Sequence, residues 1–206
     1  MTKNYWEAIY HSEKTAEYDG WLDEFLPQFS EGKILDLGCG NGGVSDFLEG
    51  QGLDVLACDF SDEALKNCSL LNPHIKTQKV DLRIPLPFAD QSVSTVITQL
   101  SLHYFSSALT EKILQEIWRI LSVDGLLIVC VNSTKDIHFG AGQGEKIERN
   151  FYSKNGNTKR FFDEEMVQQF FLTENWKKIS VKEQTKSRFN NKKTFWEIVL
   201  RKRENK

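Results

Sequence analysis

The sequence has no apolar run approaching the roughly 20 residues that a bilayer-spanning helix needs, which excludes a helical membrane protein. Its first residues, Met1-Thr2-Lys3-Asn4-Tyr5-Trp6-Glu7, carry no apolar core behind a basic start, so no secretory leader is expected. The four cysteines, Cys39, Cys58, Cys68 and Cys130, form no Cys-x-x-Cys pair. Three of them fall in segments that read as strands or tight turns, so buried, reduced thiols in a cytoplasmic protein are expected. His11, His74 and His138 have no partners at metal-ligand spacing, and no metal is expected. There is no internal repeat and no low-complexity tract.

What is present is an ordinary globular composition, 206 residues with 40% hydrophobic and 27% charged, enough for one core and one domain over residues 1–206. The net charge of −3 hides an asymmetry: residues 1–140 hold 10 Lys+Arg against 20 Asp+Glu, whereas 141–206 hold 16 against 9. A basic C-terminal part suits an anionic acceptor or nucleic acid. It equally suits lysines that guard exposed sheet edges against pairing.

Apolar and aromatic positions from Tyr5 to Leu26 recur at largely helical spacing until Pro27, which predicts an N-terminal helical cap within residues 1–30. From Lys33 short apolar runs alternate with helical stretches, the pattern of βαβ units on a mostly parallel sheet. Strands are predicted at 33–37, 54–58, 75–79, 93–99 and 126–131. Helices are predicted near 43–50, 61–71 and 108–121, the second capped by Ser61 ahead of Asp62 and Glu63. The polar stretch 133–160 is long for a connection and holds Gly140, Gly142 and Gly144; it reads as a mobile lid loop. A helix near 163–172 precedes two β-rich runs, Trp176 to Glu183 and Thr194 to Leu200, which read as a closing antiparallel pair around a turn at Asn190-Asn191. The fold class is therefore α/β, a Rossmann-like three-layer sandwich with a seven-stranded mostly parallel sheet and an antiparallel C-terminal strand pair.

The chemistry concentrates in Ile34-Leu35-Asp36-Leu37-Gly38-Cys39-Gly40-Asn41-Gly42-Gly43, a buried strand running into a glycine-rich turn that opens a helix. Such a turn lets a nucleotide-like ligand lie close to the backbone. The glycines alone also fit the dinucleotide fingerprint, but Asp36, just before the turn, suits a cationic amino group rather than a pyrophosphate. Asp59, ending the second strand, is placed to accept from both ribose hydroxyls, and Phe60 offers a ring for a base. Asp81, followed by Leu82, puts a third acid after the third strand, where it suits the exocyclic amine of adenine.

Asp36 to Gly42, Asp59 and Asp81-Leu82 together resemble the first three motifs of class I S-adenosylmethionine-dependent methyltransferases, a likeness that covers residues 33 to about 131. The start Asn4-Tyr5-Trp6-x-x-x-Tyr10 and the late run Arg160-Phe161-Phe162 are similar, more weakly, to small bacterial methyltransferases of the tellurite-resistance type. Two positions depart from the family pattern: Ser94 stands where an acid is usual, and Val123-Asp124-Gly125 replaces a Pro-Gly-Gly turn. The resemblance implies a cofactor, S-adenosylmethionine, with S-adenosylhomocysteine as product. It implies cofactor contacts from Gly38, Cys39, Gly40, Asn41, Gln99 and Leu100. His103 and Tyr104 then face an acceptor, with Trp6 and Tyr10 as further acceptor-side residues and His103 as a candidate base. Methyl transfer by in-line displacement to a small molecule is the leading expectation. An RNA or protein acceptor and a non-catalytic cofactor-binding regulator stand as alternatives.

Overall fold

The computed structural model describes residues 3–12, 15, 17–188 and 191–204. Seven strands form one sheet: β1 (Ile34–Leu37), β2 (Val55–Asp59), β3 (Lys76–Lys79), β4 (Val93–Gln99), β5 (Leu121–Asn132), β9 (Trp176–Arg188) and β10 (Asn191–Lys202), in the order β3-β2-β1-β4-β5-β10-β9. The first five are mutually parallel, and β10 and β9 close the sheet antiparallel. The expected sandwich is thus the observed one. Of the turn expected at Asn190-Asn191, Asn190 lies outside the described residues.

Alternation along the buried strands fills two faces at once. Ile34, Ile97, Leu126 and Ile128 pack with Trp21, Leu22 and Phe25 under α2 (Gly43–Gly50), which supplies Val44 and Leu48. Leu35, Leu37, Val96, Leu127 and Val129 pack on the other face against Ile113, Leu114 and Ile117 of α4 (Ser107–Ile120) and Met166, Val167 and Phe170 of α5 (Glu164–Phe171). Toward the β2 and β3 end of the sheet α3 (Asp62–Leu71) packs its Cys68 with Ala57 and Ile75, and the Ser61 hydroxyl caps the Ala64 amide at 3.2 Å, as the sequence predicts. β5 begins five residues earlier than expected, because Leu121 already pairs with Val93 across an irregularity that contains Asp124 at φ 60°. Gly125 beside it is required by contact, since a Cβ there would stand 2.9 Å from the Ser122 carbonyl and 3.0 Å from that of Ser94.

Two expectations need correction. The N-terminal cap is helical only over α1 (Lys3–Ser12) and in a short 3-10 turn, Asp23–Gln28. Residues 133–160 are not an irregular loop: after a 3-10 turn at Ile137–Phe139 they form a second, antiparallel sheet of β6 (Glu145–Glu148), β7 (Phe151–Lys154) and β8 (Asn157–Arg160). The overlooked signal is Asn155-Gly156, both at positive φ (52° and 75°), the two-residue hairpin turn whose twist matches the flanking strands.

A buried cation anchors this meander. The Arg160 guanidinium, fully buried, donates to Glu148 Oε2 at 2.5 Å and to the Arg149 carbonyl at 3.2 Å, and lies 4.7 Å from the Phe151 ring centroid. The same Glu148 oxygen accepts from the Ser107 amide (2.9 Å) and hydroxyl (2.7 Å), so it also satisfies the start of α4. Burial opposes ionisation of Glu148, but Ser107 and Arg160 outweigh it and hold the carboxyl below its ordinary value.

Removing one partner of such a pair leaves the other charge uncompensated. Arg160→Met is expected to lower the unfolding free energy at neutral pH by about 3 kcal/mol in urea titration. Since the Glu148 carboxyl is depressed, the deficit narrows as pH falls through its folded value. Hydrogen exchange should find the paired amides of β7 and β8 slow in the ligand-free protein; fast exchange across 145–160 would restore the loop.

Candidate functional site

The carboxyl ends of β1, β2 and β4 open on one cavity of about 900 Å³. The wall on the β1 side is the glycine turn. Gly38 has φ 81°, and a Cβ there would lie 2.6 Å from Ser101 Cβ; Gly40 has φ 55°, and a Cβ there would lie 2.9 Å from the Tyr10 hydroxyl. Backbone conformation and crowding both demand glycine at these positions. Cys39 and Asn41 complete this wall. A hydrogen bond with Cys68, and burial, keep the Cys39 thiol well above its ordinary pKa and therefore protonated.

Asp59 ends β2 with its side chain buried, accepting from the Gly40 amide at 3.1 Å on one oxygen and from the Ser61 amide at 2.9 Å on the other. Each carboxylate oxygen keeps a further lone pair, and Asp59 lines the cavity. Burial raises its pKa while the three amides of Ser61, Gly40 and Phe60 oppose the rise. Phe60, Asp81 and Leu82 continue the wall. Asp81 is held by Arg83, whose Nη2 donates at 2.6 Å and whose guanidinium carbon stands 5.7 Å from the Phe60 centroid. Arg83 was not anticipated from the sequence.

Asp36 is placed differently from the other acids. It shares the face covered by α2, accepts from Ser45 Oγ at 2.7 Å and does not line the cavity. Burial pushes its carboxyl up to about 7, the Ser45 hydroxyl opposing and the Asp59 charge adding.

From β4, Gln99 and Leu100 border the cavity, with Leu100 in the left-handed region at φ 56°. A γ-branched residue seldom adopts this conformation, and such strain collects at functional sites. His103 and Tyr104 follow in a 3-10 turn, their rings 4.1 Å apart. Above them α1 brings Trp6, in edge contact with Tyr104 at 5.1 Å, and Tyr10, stacked on Trp6 at 5.7 Å. α1 is seated by Glu7, whose carboxylate accepts the Asp62 and Glu63 amides at 2.9 and 3.0 Å and thereby caps α3. Asn67 also donates to the Tyr10 carbonyl at 2.7 Å.

The far wall comes from Phe139 and Phe151, two apolar residues of the 133–160 stretch that its lid reading would close over a ligand, and from residues that sequence reasoning missed: Asn132, Lys159, Lys186, Lys193 and Phe195. The one hint was the basic balance of residues 141–206. Among the described residues no cluster of three or more His, Cys, Asp or Glu could hold a metal, and no helix is long and apolar enough to cross a membrane.

Residues 35–129 match the family described as a methyltransferase domain, and this span contains the glycine turn, Asp59, Asp81, Leu100 and His103. Over this span, a little under half of its length, the chain is similar to that methyltransferase family. Among curated relatives, YqeM of Bacillus subtilis, which carries a methyltransferase name, is 32% identical over 127 residues, 58% of this chain and 50% of that protein. The chain spans half or less of the length of the curated relatives it matches. Among solved structures, a methyltransferase of Methanosarcina mazei has the same fold at a TM-score of 0.77 and 16% identity, over 92% of this chain and all of that one. TehB of Haemophilus influenzae has it at 0.70 and 16%, over 98% of this chain and 67% of that one. The Methanosarcina mazei protein is named as S-adenosylmethionine-dependent, and a Burkholderia thailandensis N-methyltransferase of the same fold, 16% identical, was solved with S-adenosylhomocysteine bound.

In this domain the neutral form of Asp36 is the one folding favours, because its folded pKa of about 7 exceeds the ordinary value of 3.8. The associated stability is complete below the unfolded pKa and is lost as pH rises through the folded one. Asp36→Asn cannot ionise and keeps an acceptor for Ser45. Its unfolding free energy, measured without ligand, should gain on that of the natural protein by about 2–4 kcal/mol as pH rises from about 5 to about 8. A constant difference across that range would refute the burial argument.

Proposed function

We propose that this chain is a cytoplasmic enzyme that transfers a methyl group from S-adenosylmethionine to a small-molecule acceptor. The observation that carries the reading is the continuity of the cavity: the glycine turn, Asp59, Phe60 and Asp81 line one end and the aromatic groups around Tyr104 the other. One space of this kind suits a donor and a small acceptor end to end.

In this reading the two oxygens of Asp59 accept from the ribose hydroxyls while its backbone contacts hold it in place. Phe60 and Leu82 pack on the adenine, and Asp81, oriented by Arg83, accepts from the exocyclic amine. The amides around Gly38, Cys39, Gly40 and Asn41, with the backbone of Gln99 and Leu100, receive the methionine part. Asp36 acts from beneath, fixing α2 to β1 through Ser45. The cofactor, when bound, supplies an electrophilic methyl group and a leaving thioether that needs no protonation. The protein's task is alignment and exclusion of water, effects that reach roughly 7–11 kcal/mol. Trp6, Tyr10 and Tyr104 exclude water, and His103 is the group available to take a proton where the acceptor carries one.

The basic tail supports a small acceptor more than a nucleic acid, because Lys159, Lys186 and Lys193 lie on the cavity wall. The lysines of the edge strand β9, Lys177, Lys178 and Lys182, have the placement expected of edge guards. The four free thiols suit a reducing compartment.

Calorimetry should find S-adenosylhomocysteine bound at micromolar strength and NAD not bound. Asp59→Asn, which keeps the side chain's size, should weaken S-adenosylhomocysteine by about 1.5–3 kcal/mol, with thermal unfolding close to that of the natural protein. NAD binding without S-adenosylhomocysteine binding would sink the proposal, and undiminished binding by the variant would sink the ribose assignment.

A further inference from the structure

We propose that the acceptor is an organic anion with an aromatic or apolar body, whose carboxylate or phosphate is gripped by Lys159 with help from Lys186. This rests on the small-molecule reading above and adds the chemical class.

The argument begins with which cations at the far end of the cavity are already satisfied. Lys193 donates to Asn132 Oδ1 at 2.8 Å and to Asp136 Oδ2 at 2.9 Å, and lies 4.5 Å from the Phe139 centroid. Arg160 is neutralised by Glu148. Among the described residues Lys186 forms an ion pair with Asp19, at 3.9 Å and with side chains 32% and 56% exposed, a contact too long and too wet to count for much, and its charge also acts on Glu197 at longer range. Lys159 has no hydrogen-bond or ion-pair partner for its ammonium among the described residues, and Asp136 acts on it only at longer range. Yet Lys159 is half-buried, and burial lowers its pKa. A desolvated cation without a counter-charge costs free energy that a bound anion recovers.

Position makes this cation relevant to the acceptor. The residue before it, Thr158, donates its hydroxyl to the Tyr104 carbonyl at 3.2 Å, which ties β8 to the turn that carries His103 and Tyr104. Lys159 lines the main cavity and also the adjoining cavity of about 340 Å³ that Tyr152 and Phe161 border. Phe139 borders both of these cavities with it, and Phe151 and Phe195 line the main one. A flat apolar body with one acidic group satisfies both the rings and the ammonium. Of the acidic residues of the cavity, Asp59 and Asp81 sit at the opposite, cofactor end, while Asp19 stands 3.9 Å from Lys186. The anionic group is held by Lys159 and is not itself the methyl acceptor.

The test uses the full chain loaded with S-adenosylhomocysteine and three probes of similar shape: benzoate, phenyl phosphate and benzamide, titrated by ligand-observed NMR. At least one anion should bind about tenfold or more tightly than benzamide, the size expected for a hydrogen bond to a charged group. Which anion wins separates a carboxylate from a phosphate acceptor. Lys159→Met should bring the ratio near one, Lys159→Arg should keep most of it, and S-adenosylhomocysteine affinity should be the same in all three proteins. Equal binding of the anions and benzamide, no saturable binding of either anion, or an unchanged preference in Lys159→Met would each overturn the proposal. Failure of S-adenosylhomocysteine to bind would instead strike the underlying methyltransferase reading.

Discussion

The molecule depends on one topological constraint: β1 and β4 are adjacent and parallel, but the chain leaves them toward opposite faces. From β1 it turns to α2, which packs with Trp21 and Ile34. From β4 it turns to α4, which packs with Leu35 and Val96. No connection then covers the carboxyl ends between them, and a crevice is unavoidable at that point. In the proposed reading the groups that receive the cofactor, Asp36 excepted, lie around that crevice at or just past the carboxyl ends of β1, β2, β3 and β4.

The rim is held by polar contacts as much as by packing. Asp59 links the turn after β1 to the start of α3 by accepting from Gly40 and Ser61, and Glu7 brings α1 onto the same helix. A carboxylate near a helix start meets unpaired amides and the positive end of the dipole, so two acids of one sign can share the neighbourhood of α3. Asp36 has no such donors beyond Ser45, and it is the acid that burial brings to neutrality near pH 7.

Much of this was legible in the sequence wherever the information was local. The glycine turn, the acids ending β2 and following β3, and the Ser61 cap are each written within a few residues, and all stand where expected. The sheet order follows from the rules for parallel strands. What was not legible arises from distant pairing. Lys159 and Lys193 reach the cavity only because β10 folds back on β5 and β8 docks on Tyr104, and charge counting registers their sign but no position. The Asp81–Arg83 pair and the burial of Asp36 depend on side-chain direction, which motif spacing does not encode. The meander was misread for another reason: its strands are four residues each, and their polar composition outweighed the Asn155-Gly156 turn.

The meander's construction separates two kinds of change. Its ladders join only neighbouring strands, through two-residue turns, and it meets the rest of the molecule through a few defined joints such as Arg160 with Glu148 and the Phe162 amide with the Asn132 carbonyl. Substitutions on the cavity side of β7 and β8 therefore leave the pairings of β1, β2 and β4 untouched. In the proposed reading donor recognition rests on the main sheet, while acceptor choice rests on a locally paired unit. On that reading a lineage explores new acceptors by rewriting some sixteen residues while the donor end of the cavity stays unchanged.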